Sequence, residues 1–297
     1  MSFQNNIFHL KVRDYSVSKE IFELHHNPEY DLLITFPKPS TEKLPSYYES
    51  EDYISHTDGK RSLFERMYHF IKNIALKNKL KLINAESEKG KLLDIGAGTG
   101  DFLVVAKNDG WDTTGIEPSA KAKTIAINKG VNFATNLSDL ESHSFDVITM
   151  WHVLEHVPNL DEYILELKRL LKPSGTIIIA VPNFKSFDAN YYGRFWAAFD
   201  VPRHIWHFSK TAIDKLFAEK EMKLVKVLPM KFDSFYVSLL SEKYKTGKMN
   251  FIKAFFVGLK SNHSGKQNKE YSSHIYIIKT IKNQFKAIHL TKQSRNM

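Results

Sequence analysis

Between Lys91 and Val181 short apolar runs rich in β-branched residues alternate with helix-length segments. KLLDI (91–95), DTTGI (112–116), VNFA (131–134), DVITMW (146–151) and TIIIAV (176–181) fit strands buried in a parallel sheet. Between them lie DFLVVAKNDG, KAKTIAINKG and DEYILELKRLLK, two of which end in the helix-stopping Gly110 and Gly130. This alternation predicts an α/β fold, a doubly wound sheet. KLVKVLPM (223–230) and HIYIIKT (274–280) supply two further strands, separated by an insertion of about forty residues. Connections that long are usually functional.

Ahead of the alternation, residues 1–62 read as an ordered arm, aromatic-rich and turned at Pro37, Pro39 and Pro45. RSLFERMYHFIKNIALKNKLKLI then carries helical periodicity. The expected organisation is an arm or lid (1–62), a core (63–230) with an insertion at 183–208, a helical basic insertion (231–272), and a last strand with a basic tail (273–297).

Composition narrows the chemistry. The 297 residues include no cysteine, which excludes disulfides and every thiolate-dependent reaction. From Glu242 to Met297 there are 12 Lys/Arg against two acids, so this fifth of the chain carries the whole excess behind the net charge of +9. Such a segment suits an anionic surface contact through 242–297, or is a solvated basic face. Within it, NFIKAFFVGLKSN has the pattern of an amphipathic helix that rests on a membrane or packs on its own domain. No apolar run is long enough to span a membrane, and MSFQNNIFHLKVRDY lacks the pattern of a signal peptide, so a cytoplasmic location is expected.

The first predicted strand of the core runs into LLDIGAGTGDF, placing Gly96, Gly98 and Gly100 where a strand turns into a helix. Glycines there let backbone approach a ligand closely. Glu117 ends the next strand, where a carboxylate can accept from both hydroxyls of a ribose. A pyrophosphate cradle prefers G-x-G-x-x-G. The spacing G-x-G-x-G, preceded by Asp94, instead suits a cationic nucleoside: S-adenosyl-L-methionine, with a sulfonium, an ammonium and no phosphate.

LLDIGAGTGDF, GIEPS, FDVITMWHVLEHVPN and LKRLLKPSGTIIIAVPN stand in the order and spacing of class I S-adenosylmethionine-dependent methyltransferases, and this chain resembles the small-molecule branch near the quinone and polyketide O-methyltransferases. The resemblance, covering roughly residues 90–230, implies a Rossmann-like seven-stranded sheet with an antiparallel last strand. It places Asp94, Gly96, Ala97, Gly98 and Gly100 around the methionine portion, Glu117 at the ribose, and Asn136 and Leu137 near the adenine. Trp151 and His152 fall on the cofactor rim, and Tyr48, Tyr53 and His56 in a lid.

WHVLEH also spells H-x-x-E-H, a zinc-peptidase signature. Following the fourth core strand, it is read instead as the rim of the pocket. The related quinone enzymes carry Glu-x-x-Glu-His there, associated with a divalent metal. His152 replaces the first Glu, which disfavours magnesium, and no metal is expected. His152, His156 and His204 are the candidate bases for deprotonating a hydroxyl acceptor. D-x-P-R-H-x-x-x-F-S resembles an acceptor-bordering segment of the same enzymes, which nominates Tyr191, Tyr192, Trp196, Arg203, His204 and His207 for the substrate. The expected activity is methyl transfer, at oxygen, to a small-molecule or lipid-linked acceptor. Two alternatives stay open: an RNA methyltransferase using the basic region, and a non-catalytic cofactor-binding scaffold. The lack of an Asn/Asp-Pro-Pro-aromatic string after the fourth core strand counts against a nucleobase amine.

Overall fold

The computed structural model describes residues 3–40, 42–48 and 63–281, with side chains described from Ile71 onward in the last segment. Strands β1 (Ile7–Arg13), β2 (Ile21–Asn27) and β3 (Leu32–Phe36) precede the long helix α1 (Leu63–Glu86). Then β4 (Lys91–Ile95), α2 (Asp101–Asn108), β5 (Asp112–Ile116), α3 (Ala120–Asn128), β6 (Phe145–Trp151), α4 (Leu160–Leu170) and β7 (Leu171–Pro182) alternate. They are followed by α5 (Phe187–Tyr192), β8 (Trp206–His207), α6 (Lys210–Ala218) and β9 (Met222–Pro229). The last elements are α7 (Asp233–Thr246), α8 (Phe251–Asn268) and β10 (Ser273–Thr280).

The main sheet has the order β5-β4-β6-β7-β10-β9. Its first four strands are parallel, and β10 runs antiparallel to both neighbours. Leu92, Leu93, Val147, Ile148, Ile177, Ile178 and Ile179 are fully buried. Successive residues point to opposite faces, so the sheet is covered on both. Helix α4 shows how local sequence sets such a cover. Leu160, Ile164, Leu167 and Leu170 form its buried stripe, and the Asn159 side chain accepts from the Glu162 N–H. Acids occupy its first turn and Lys168 and Arg169 its last, matching the helix dipole.

The seventh strand position, expected at 131–134, is filled by an isolated parallel bridge between Gly115 and Phe133. Gly115 N–H donates to Asn132 O at 2.8 Å, and Ala134 N–H donates to Gly115 O at 3.0 Å. A Cβ on Gly115 would lie 2.7 Å from the Phe133 ring, so the lack of a side chain permits this close edge.

Residues 7–36, which the sequence presents as an irregular arm, form a meander. With β8 it makes a four-stranded antiparallel sheet in the order β1-β2-β3-β8. β3 reaches β8 through Leu33↔His207 and Ile34↔Trp206. Leu32 and Ile34 join the main core beside Trp206 and Phe208. Leu33 joins Tyr192, Trp196 and Phe199 in a second cluster. The meander thus grips the segment 183–208 from both faces of one strand.

Candidate functional site

The turn after β4 depends on its glycines. Gly96, Gly98 and Gly100 have φ of +75°, +53° and +75°. Side chains rarely adopt this left-handed region. A Cβ on Gly96 would meet Val153 at 2.4 Å and one on Gly100 would meet Ala126 at 2.7 Å, whereas beside Gly98 lies open space. The N–H groups of Gly96 and Ala97 donate to Ile116 O at 2.8 and 3.0 Å, tying the turn to β5. Glu117, just beyond β5, accepts from Gly98 N–H and from Ser119 N–H, each at 2.8 Å. The acid and the turn expected to share a ligand are therefore in contact.

Beneath them Asp94 is buried and accepts from the Thr149 hydroxyl at 2.6 Å. Desolvation pushes its carboxyl up to about 6, against the pull of Lys79 and Thr149. Lys79, from α1, stands 4.4 Å from the centre of the Trp151 ring. Burial lowers its pKa although Asp94 and Asp233 attract its charge. The charges of Asp94 and Asp233 and the face of Trp151 thus act together on Lys79 at the end of β6. Trp151 Nε1 is buried with no hydrogen-bond partner among the described residues. Asn136 and Leu137 lie beyond the Phe133 bridge, where Asn136 makes a reciprocal capping box with Asp139. Leu137 packs on the main core.

Beyond β6, His152 has a φ of +58°. Its Nε2 lies 3.0 Å from Asp233 and its Nδ1 3.3 Å from Glu155. Desolvation opposes a charge on this ring, but Asp233 and Glu155 outweigh it and raise the pKa to about 10. Of the three candidate bases, His152 is therefore held as a cation. His156 is driven the other way, down to about 4, chiefly by burial. Its Nδ1 lies 3.0 Å from both Arg203 O and Tyr48 Oη. The His204 Nδ1–H donates to Ala198 O at 2.9 Å, which leaves the lone pair on Nε2. That Nε2 is 4.0 Å from Glu155 and 4.0 Å from Asp200. The His156 and His204 rings meet edge to face at 4.6 Å.

Glu155, His156 and His204 bring donor atoms within 4.8 Å of one another. Glu155 Oε2 is buried with no hydrogen-bond partner among the described residues. This group does not fit the magnesium-type site of the quinone enzymes. His152 stands at the first ligand position as a cation, and two of the three donors here are nitrogens, which suit softer ions.

The residues nominated for the acceptor divide sharply. His204 reaches the site, and Tyr191 is exposed on α5. Tyr192 and Trp196 are buried, the Trp196 Nε1–H donating to Asp188 at 2.7 Å. Arg203 is buried, ion-paired with Asp14 at 2.9 Å and Asp200 at 2.7 Å, and donates to Tyr47 O. His207 lies 3.0 Å from the Thr35 hydroxyl, and burial drives its pKa well below the usual value. These four bind the meander to the site wall. Of the lid residues, Tyr48 touches His156, while Tyr53 and His56 lie outside the described residues. The sequence does not mark Lys79 or Asp233, and Asp200, which opens the D-x-P-R-H string, is not among the nominated residues. Helical periodicity places Lys79 on α1 but cannot say which strand end it meets, and nothing local marks Asp233.

A family profile described as "Methyltransferase domain" matches residues 64–227. The chain is 29% identical over 172 residues to a ubiquinone biosynthesis O-methyltransferase of Rickettsia typhi, covering 53% of this chain and 69% of that one. It is 31% identical over 102 residues to the Sodalis glossinidius protein of the same name, covering 31% and 41%. The chain thus spans less than half of the Sodalis relative. A SAM-dependent methyltransferase from Archaeoglobus fulgidus superposes with a TM-score of 0.51 at 19% identity, over 73% of this chain and 98% of that one. A possible histamine N-methyltransferase from Thermotoga maritima gives 0.50 at 20%, over 73% and 94%. At these identities the two structures speak for the fold alone. Among the described residues no helix is long and apolar enough to cross a membrane.

Proposed function

We infer that this chain, which belongs to the class I S-adenosylmethionine-dependent methyltransferases, methylates a hydroxyl oxygen on a small, largely apolar acceptor. Two observations support placing the cofactor at the glycine turn. Open space lies beside Gly98 next to the carboxylate of Glu117. Lys79, drawn by Asp94, already stands over the Trp151 ring, where a cationic group of the cofactor would meet the same two partners. When bound, the cofactor supplies an electrophilic methyl group on a sulfonium. In this reading Gly96, Ala97, Gly98 and Gly100 hold its amino-acid portion, Glu117 its ribose, and Asn136 and Leu137 border its base.

The observation that carries the reaction is the lone pair of His204 Nε2 beside a buried carboxylate. His204 takes the acceptor proton, and Glu155, kept ionised against desolvation by the hydrogen bond and charge of His152, stabilises the imidazolium that forms. His156, whose basicity is suppressed, orients the site through Tyr48 and Arg203 O. The ubiquinone biosynthesis O-methyltransferases among its relatives support oxygen as the acceptor atom.

The test is incubation of cell extracts with the enzyme and a trideuteromethyl cofactor, followed by mass spectrometry. A labelled methyl ether that requires Glu117 and His204 is expected. Label on nitrogen or carbon, or none, would overturn the assignment.

A further inference from the structure

Helix α8 turns its apolar side the wrong way for a surface helix. Its buried line is made of small residues, Ala254, Val257, Gly258, Ser261 and Gly265. Its exposed line is made of large ones, Phe251, Ile252, Phe255, Phe256 and Leu259, with Ile252 74% and Phe256 64% exposed. The small residues let α8 lie close against α7: a Cβ on Gly258 would fall 2.6 Å from the Phe235 ring and 3.1 Å from its Cα. Phe235 stacks on Phe255 with centroids 5.6 Å apart, and Phe255 meets Phe256 at 5.9 Å, so the exposed rings form one ridge. Water gives no reason to display such a face, and contiguous apolar surface of this kind marks an interaction site.

The charge around the ridge says what it meets. Between Lys231 and Lys269 stand eight lysines against two acids. Both acids are engaged, Asp233 with His152 at 3.0 Å and Glu242 with Lys253 at 3.2 Å. Lys248 and Lys260 are exposed at either end of the ridge. Aromatic and aliphatic side chains rimmed by lysines fit the boundary between lipid headgroups and acyl chains. A soluble partner with an apolar groove would not need the basic rim.

We propose that the α7–α8 hairpin docks on an anionic lipid bilayer, the phenylalanine ridge entering the interface and the lysines meeting lipid phosphates. Because α7 begins at Asp233, which holds His152 at the site, docking sets the active site against the membrane. Docking itself does not depend on the acceptor. Its consequence, that the acceptor is an apolar molecule resident in the bilayer, rests on the function proposed above.

Co-sedimentation without acceptor tests docking alone, so failure here and failure of methyl transfer are separately visible. The probes are vesicles of phosphatidylcholine and of phosphatidylcholine with an equal part of phosphatidylglycerol. Wild type is expected to partition about tenfold or more in favour of the anionic vesicles at low salt. Phe255→Ser with Phe256→Ser is expected to lose partitioning to both, and Lys248→Glu with Lys260→Glu to lose the anionic preference. Thermal midpoints and cofactor calorimetry should stay unchanged, since these side chains are exposed. Equal partitioning of all three proteins would overturn the proposal. So would a stable dimer in light scattering that the phenylalanine variants dissociate, since the ridge would then be covered by a second copy.

Discussion

The imidazole of His152 and the carboxylate of Asp233 lie 3.0 Å apart, joining the end of β6 to the first turn of α7. They are eighty-one positions apart in sequence, and the contact fixes the ring as a cation. A group whose folded pKa is raised adds stability that is complete below its unfolded value of roughly 6.5. That stability is lost as pH rises toward about 10. The thermal midpoint should therefore fall across this window, and Asp233→Asn should flatten the fall. NMR titration of the ring in the variant should show a pKa several units lower. An unchanged titration would mean that the pair does not form.

Asp94 predicts a pH dependence of a different kind. Its carboxyl sits near 6 because burial disfavours charge. A cationic cofactor gains from the ionised form, so its affinity should rise as pH passes upward through about 6 and level off above it. Calorimetric titrations of S-adenosylmethionine across this range would show the step. Asp94→Asn should remove the step and weaken binding by about tenfold or more.

Glu117→Ala should cost about 1.5–3 kcal/mol of cofactor affinity, the usual loss for hydrogen bonds to a charged group. Calorimetry would read this as roughly a ten- to hundredfold rise in Kd. The fold should survive, since Gly96 and Ala97 stay bonded to Ile116 O. A variant that binds as tightly as wild type would remove the ribose from this acid.

His204 and His156 are separable by kinetics. His204→Gln should lower kcat by about a hundredfold to ten-thousandfold while leaving cofactor Kd unchanged. Its loss should be largest at low pH and partly relieved at high pH, where the acceptor ionises unaided. His156→Gln, altering a group already held neutral, should lower kcat by less than about tenfold. Equal losses in the two variants would shift the proton transfer away from His204.

Much of the central architecture was legible because its signals are local. A β-branched run such as Thr176–Val181 reads as a buried strand from its own residues, and Gly110 and Gly130 mark helix ends by backbone freedom alone. The glycine turn and Glu117 were legible for the same reason: each stands at the end of its own strand. The meander was not. β1 and β2 leave Ile7, Phe8 and Ile21 exposed, which blurs their alternation, and β3 finds β8 only across about 170 residues. Lys79 and Asp233 were illegible on similar grounds, because each matters through a partner remote in sequence.

The sharing of β8 has an evolutionary reading. Thr35 N–H donates to Ile205 O, the Thr35 hydroxyl to His204 O, and Ile205 N–H to Glu155 O. The wall of the proposed acceptor site is consequently woven from three distant stretches, around residues 35, 155 and 205. A lineage that acquires a new acceptor by exchanging the 183–208 loop must inherit a compatible N-terminal sheet with it. The two would travel as one cassette, while the nucleoside-binding half stays behind.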